Sequence, residues 1–192
     1  MKAVFSLLIL LTASSSHAYE MLGLISYNLS AIDPKPTNFT KASNGIGYTF
    51  LGRFDLGPGL IETGFQFTPT SITTTQSFGE VKVTGAYWIL PIMYRYVFLP
   101  PFFSVAVGMD YAVVGSSNLS VSGAQVSGLT SGYRSHFGVQ ASFDVNQDLG
   151  ENISAVLDLR YRQGLADAIT FSNVGSHYNY WVIALGIQKH LE

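Results

Sequence analysis

The chain has 192 residues, of which 47% are apolar and only 11% charged, with 10 Lys and Arg set against 12 Asp and Glu for a net charge of −2. Soluble domains carry about 25% charged residues, so an ordinary water-facing globule is excluded, and the hydrophobicity excludes a disordered chain. The balance of charge leaves no basic stripe for nucleic acid. The absence of cysteine rules out a disulfide scaffold, a thiolate zinc site and a cysteine-anchored lipoprotein.

The N-terminus reads as an export signal. Lys2 is followed by the apolar run Ala3–Ala13, and Ser16 and Ala18 are the small residues expected at −3 and −1 of a cleavage site. The run is too short for a spanning helix, which needs about 20 apolar residues. Residues 1–18 are therefore expected to be a signal peptide, and 19–192 a single barrel domain that begins near the periplasm.

From there on the hydrophobicity repeats with period two, the mark of a half-buried strand. Ile46, Tyr48, Phe50, Phe54 and Leu56 alternate with Gly45, Gly47, Thr49, Arg53 and Asp55, with Leu51 as the apolar exception. Phe103, Val105, Val107, Met109 and Tyr111 alternate with Ser104, Ala106, Gly108, Asp110 and Ala112, and similar runs surround Ile61–Phe67, Phe137–Phe143 and Ile153–Tyr161. The apolar stretch Ala86–Val107 is not a helix, because Pro91, Pro100 and Pro101 interrupt it. Eight strands are expected, at about 19–31, 43–56, 60–70, 80–98, 102–114, 131–145, 152–165 and 177–191. Short turns fall at Gly57–Gly59, Leu99–Pro101 and Asn146–Glu151. Longer Ser/Thr/Asn/Gly-rich loops fall at about 32–42, 71–79, 115–130 and 166–176. Short turns at one end and long loops at the other make an up-and-down antiparallel transmembrane barrel.

A soluble lipocalin-like barrel alternates in the same way, with its apolar face inward. Low charge argues against it, as do the small residues on the charged face, which suit the crowded interior of eight strands. Aromatics near strand ends, among them Tyr27, Trp88, Tyr96, Phe98, Phe102, Tyr133, Tyr161, Tyr178, Tyr180 and Trp181, fit the girdles of membrane barrels.

The last strand, Ala184–Leu191, carries Gly186 followed by Ile187 and Leu191 in phase. It is similar to the C-terminal assembly signal of bacterial outer-membrane barrels, with Leu191 in the place of the usual phenylalanine, Glu192 after it, and Lys189 where an aromatic is common. With the signal peptide and eight strands, the chain resembles the small outer-membrane proteins of the OmpA-transmembrane-domain and OmpX type. That resemblance implies a bacterial outer-membrane location, contact with lipid and lipopolysaccharide, recognition of Gly186, Ile187 and Leu191 by the barrel assembly machinery, and loops free to take a surface ligand. No periplasmic peptidoglycan-binding domain is expected after the eighth strand.

If the aromatic face meets lipid, the inward face carries Arg53, Asp55, Glu62, Arg95, Asp110, Arg134, Asp144, Asp158, Arg160 and Arg162. Charges on the lipid face would cost about 2–4 kcal/mol each at mid-membrane, and inside a narrow barrel they must be paired. Every base is arginine, whose fork suits carboxylates. An ion-pair network closing the barrel is expected, with Arg95 and Glu62 paired across adjacent strands. The alternative is a narrow channel for small solutes. A lipid A-modifying enzyme needs a serine, a histidine and an acid within reach. The pairs Ser135–His136 and Ser176–His177 point to opposite faces of their strands, and neither reproduces the His-x-Ser-Asn pattern of the lipid A 3-O-deacylases. No enzyme activity, metal or cofactor is expected. His136 is expected to be an interior hydrogen-bonding residue and His177 a rim residue. The sequons at Asn28, Asn38, Asn118 and Asn152 are matches by chance in a bacterial barrel.

Overall fold

The computed structural model describes residues 20–33, 39–76, 79–100, 102–121, 124–125, 133–166, 169–171 and 174–191. The signal-peptide reading, with Lys2, Ser16 and Ala18, lies outside them. The elements are β1 (Glu20–Asp33), β2 (Phe39–Ser43), β3 (Gly45–Leu56), β4 (Gly59–Gln76), β5 (Gly79–Leu99), β6 (Phe103–Val121), β7 (Ala124–Gln125), β8 (His136–Gly150), β9 (Ile153–Gly164), β10 (Ile169–Phe171) and β11 (Val174–His190).

Eight of these form the wall, each antiparallel to the next, in the order β1-β3-β4-β5-β6-β8-β9-β11. β1 also pairs with β11, from Glu20 opposite His190 to Asp33 opposite His177, which closes the barrel. The short β2, β7 and β10 extend β4, β6 and β11 at the loop end. Both described ends of the chain lie at the other end, beside the tight turns.

The wall is taller toward the loops than the periodicity indicates. β4 and β5 stay paired to Gln76 opposite Gly79, so the expected 71–79 loop is a hairpin extension. β6 likewise runs on to Val121. Serine and threonine dominate these extensions and give no apolar alternation to read, yet their backbones still complete the ladder. At the turn end, β8 continues through Asn146 to Gly150, and the turn shrinks to Glu151 and Asn152, both with positive φ (52° and 61°). Two left-handed residues make the tight loop whose twist matches a hairpin.

The period-two phase decides what faces where. Ile25, Phe50, Ile92, Val107, Phe137, Trp181 and Leu185 all point outward, Ile25 being 63% and Leu185 64% exposed. Their neighbours in sequence point inward, and Glu62, Arg95, Asp144, Asp158 and Arg162 are all 0% exposed. This is the reverse of a soluble barrel, and the lipocalin-like alternative fails on it: its apolar face would have to be the inner one. An apolar exterior around buried charge is stable where the surroundings are lipid.

The aromatics divide by the same phase. Phe50, Phe65, Phe67 and Trp88 pack side by side on the outer face, with centroid separations of 5.0–6.1 Å. Tyr161 and Trp181 pair there at 4.8 Å. Tyr133, Tyr178 and Tyr180, expected in a girdle, are instead buried inside. Tyr178 and Tyr180 share the phase of the inward Val182, Ala184 and Gln188, so their position follows from the alternation and not from their chemistry. With Tyr87 they form an aromatic layer filling the lumen toward the loops.

Candidate functional site: the barrel interior

Below that aromatic layer the lumen holds four arginines and their acids. Arg53 (β3) donates to Glu62 at 2.9 Å, to Glu20 at 3.4 Å, to Asp144 at 2.5 Å and to the Gln188 carbonyl. Arg95 (β5) meets Glu62 and Asp144 at 2.7 Å each and also donates to the Ser104 and Ser142 hydroxyls. Arg160 (β9) binds Asp158 at 2.9 Å and Glu62 at 3.2 Å, with a further hydrogen bond to Gln140 at 3.3 Å. Glu62 is thus shared by three arginines from three strands. The expected Arg95–Glu62 pair is present, on the diagonal of the β4–β5 ladder where Glu62 faces Met93 and Arg95 faces Leu60.

A second unit lies closer to the loops. Arg162 forks onto Asp110, with Nε 3.0 Å from both carboxylate oxygens and Nη2 at 2.6 Å, and stands 5.8 Å from the Tyr180 ring centroid. Its Nη1 lies 2.8 Å from His136 Nε2, while His136 Nδ1 lies 3.0 Å from the Arg134 carbonyl. A guanidinium only donates and a carbonyl only accepts. The imidazole is therefore neutral, with its proton on Nδ1, and His136 is the interior hydrogen-bonding residue expected.

Eight of the ten expected residues are therefore in the network: Arg53, Glu62, Arg95, Asp110, Asp144, Asp158, Arg160 and Arg162. The other two are not. Asp55 has the inward phase of Arg53 but sits one residue from the end of β3, at the open turn-end mouth, and its side chain is exposed. Arg134 precedes β8, which begins at His136 and not at the expected 131; it too is exposed. Glu20 and Gln188 belong to the network and were missed. Both share the inward phase at the very ends of the outermost strands, so the same alternation points to them.

At the C-terminus, Gly186 stands opposite Leu24 of β1, and a Cβ there would come within 1.9 Å of the Gly23 carbonyl oxygen. Ile187 is outward and Leu191 exposed. Among the described residues no group of three or more His, Cys, Asp or Glu side chains could hold a metal ion.

At the turn end the lumen opens into a cavity of about 340 Å³. Arg53, Arg95, Ser104, Ser154, Gln188 and His190 are among the residues that line it.

No protein-family model and no curated protein matches the sequence. Solved structures do share its shape. Neisserial surface protein A aligns over 91% of this chain and 98% of its own at TM-score 0.55 and 9% identity. Ail, the attachment invasion locus protein of Yersinia pestis, solved with the heparin analogue sucrose octasulfate, aligns over 88% and 97% at 0.51 and 14%. The outer membrane protein OprG of Pseudomonas aeruginosa aligns over 90% and 95% at 0.50 and 10%. The chain has the fold of the small eight-stranded outer-membrane barrels.

Proposed function

We propose that this chain is an integral barrel of a bacterial outer membrane whose role is structural: a closed, rigid wall that holds its loops at the cell surface for contact with a ligand or partner. The observation that carries this reading is the pairing of an apolar exterior with a lumen filled by ion pairs and tyrosines. Such an interior leaves little path for solute, as eight strands enclose a space that side chains just fill. Contact with lipopolysaccharide and recognition of Gly186, Ile187 and Leu191 by the assembly machinery belong to the same reading. A lipid A-modifying role at the loop end is disfavoured. His136 is held by Arg162 and the Arg134 carbonyl, and His177 turns its Nδ1 to the Gly164 carbonyl at 3.0 Å.

Two measurements test this. Envelope protein run unboiled and boiled on an SDS gel is expected to differ in mobility, because a closed barrel resists detergent until heated; equal mobility with the protein free in the periplasm overturns it. In planar bilayers the purified barrel is expected to give no steady conductance. Ohmic channels would replace the closed barrel by a narrow pore.

A further inference from the structure

One arrangement at the turn-end mouth adds a serine and a histidine to the edge of the ion-pair network. Ser154 Oγ lies 3.5 Å from His190 Nε2, and His190 Nδ1 lies 3.2 Å from Glu20 Oε1. The strand register puts them together. Glu20 is directly opposite His190 on the β1–β11 seam, and Ser154 is opposite Gln188, two residues before His190, on the β9–β11 ladder. Positions two apart share a face, so all three side chains line the same cavity.

The placement of the ring is the one a general base needs. The ring faces a carboxylate through Nδ1 and the serine hydroxyl through Nε2, so the neutral ring with its proton on Nδ1 can take the serine proton on Nε2. Gln188 lies against the same ring. Its carbonyl oxygen accepts from Arg53, which turns its amide nitrogen to within 3.4 Å of His190 Nε2. Nucleophile, base and orienting acid in this order make the general arrangement for acyl transfer, and the serine–base distance is often loose before substrate binds.

We propose that Ser154, His190 and Glu20 form a periplasm-facing esterase site acting on small carboxylic esters that fit the turn-end cavity. Ser154 Oγ attacks the ester carbonyl carbon while its proton passes to His190 Nε2. The bond to the alcohol oxygen then breaks, and the alcohol leaves with that proton. Water attacks the Ser154 ester through the same relay, releasing the carboxylic acid and restoring the hydroxyl. Glu20 is a positioning residue, held in turn by Arg53. This activity adds to the structural reading, is read out by label and hydrolysis and not by heat shift or conductance, and is confined to the end opposite the surface loops.

The test uses the full barrel folded in detergent, its fold checked by heat-modifiability. A fluorophosphonate probe is expected to form an adduct that peptide mass mapping places on Ser154. Hydrolysis of p-nitrophenyl butyrate is expected to fall about 100-fold in Ser154→Ala and in His190→Ala, the lower bound for a lost base. Glu20→Gln is expected to lower the rate and move its pH profile, and Glu20→Asp to restore part of it. The site is overturned if the wild-type barrel takes no label, if the label maps to another residue, or if Ser154→Ala hydrolyses the ester at the wild-type rate. Mapping on the wild type needs no variant to fold, and the outcome leaves the heat shift and the conductance untouched.

Discussion

Glu62 is a hub of the lumen, with Arg53, Arg95 and Arg160 all within 3.2 Å of its carboxylate. Removing one partner of a buried pair leaves uncompensated charge and costs about 3–5 kcal/mol. Glu62→Gln is therefore expected to destabilise the barrel by that amount in urea unfolding from lipid vesicles. Asp55→Asn and Arg134→Gln, both at exposed sites, are expected to stay within about 0.5 kcal/mol of wild type. Equal midpoints for all three would mean that the ion pairs do not hold the barrel. These sites also mark what the sequence makes legible at this scale. Alternation fixes the face, so the inward arginines could be named from the pattern alone. It does not fix depth, so Asp55 and Arg134, at or beyond a strand end, were placed in the lumen along with the rest. Pairs adjacent in sequence were also the wrong place to look for Ser154 and His190, because their proximity comes from the ladder.

Strand pairing carries its own constraints. The β1–β11 seam has glycine on both sides, Gly23 and Gly186, and the backbones approach where a Cβ at 186 would collide with a carbonyl oxygen. Gly186→Val is expected to cost about 1–3 kcal/mol, as overpacking does, and to raise the fraction of chain without heat-modifiable mobility; unchanged stability would show that the seam can open to accept it. The Glu151–Asn152 turn offers the opposite experiment. Glu151 has φ of 52°, a conformation that asparagine tolerates better than glutamate. Glu151→Asn is expected to raise stability by a few tenths of a kcal/mol, measured in the same unfolding assay. The strand count and the Gly57–Gly59 and Leu99–Pro101 turns were readable because proline and glycine punctuate them, whereas the expected Asn146–Glu151 turn is mostly strand β8. The loop-end extensions were not, since backbone pairing alone sustains β4–β5 and β6 where the residues are polar.

For the molecule as a whole, the decisive property is which side is dry. Ile25 and Leu185 face each other across the seam, about half-way along the ten residues or so a tilted strand needs to cross hydrocarbon. Leu185→Arg is expected to cost about 2–4 kcal/mol when the barrel unfolds from a bilayer. If that substitution proves neutral, this surface does not meet lipid. This inversion was legible from composition, because 11% charged residues cannot cover an exterior yet suffice for a lumen.

The ion pairs also link strands remote along the chain. Arg53 of β3 reaches Asp144 of β8, 91 residues away, and Arg160 of β9 reaches Glu62 of β4, 98 residues away. Each bridge spans opposite walls, so neither can form until the ring is complete. Where ring closure follows the rate-limiting step, such contacts are absent from the transition state. Their loss is expected to show up almost wholly as faster opening, with the rate of insertion unchanged. The lumen charges would then act as a latch on lifetime: they do not guide the chain into its barrel, but they decide how long it stays there.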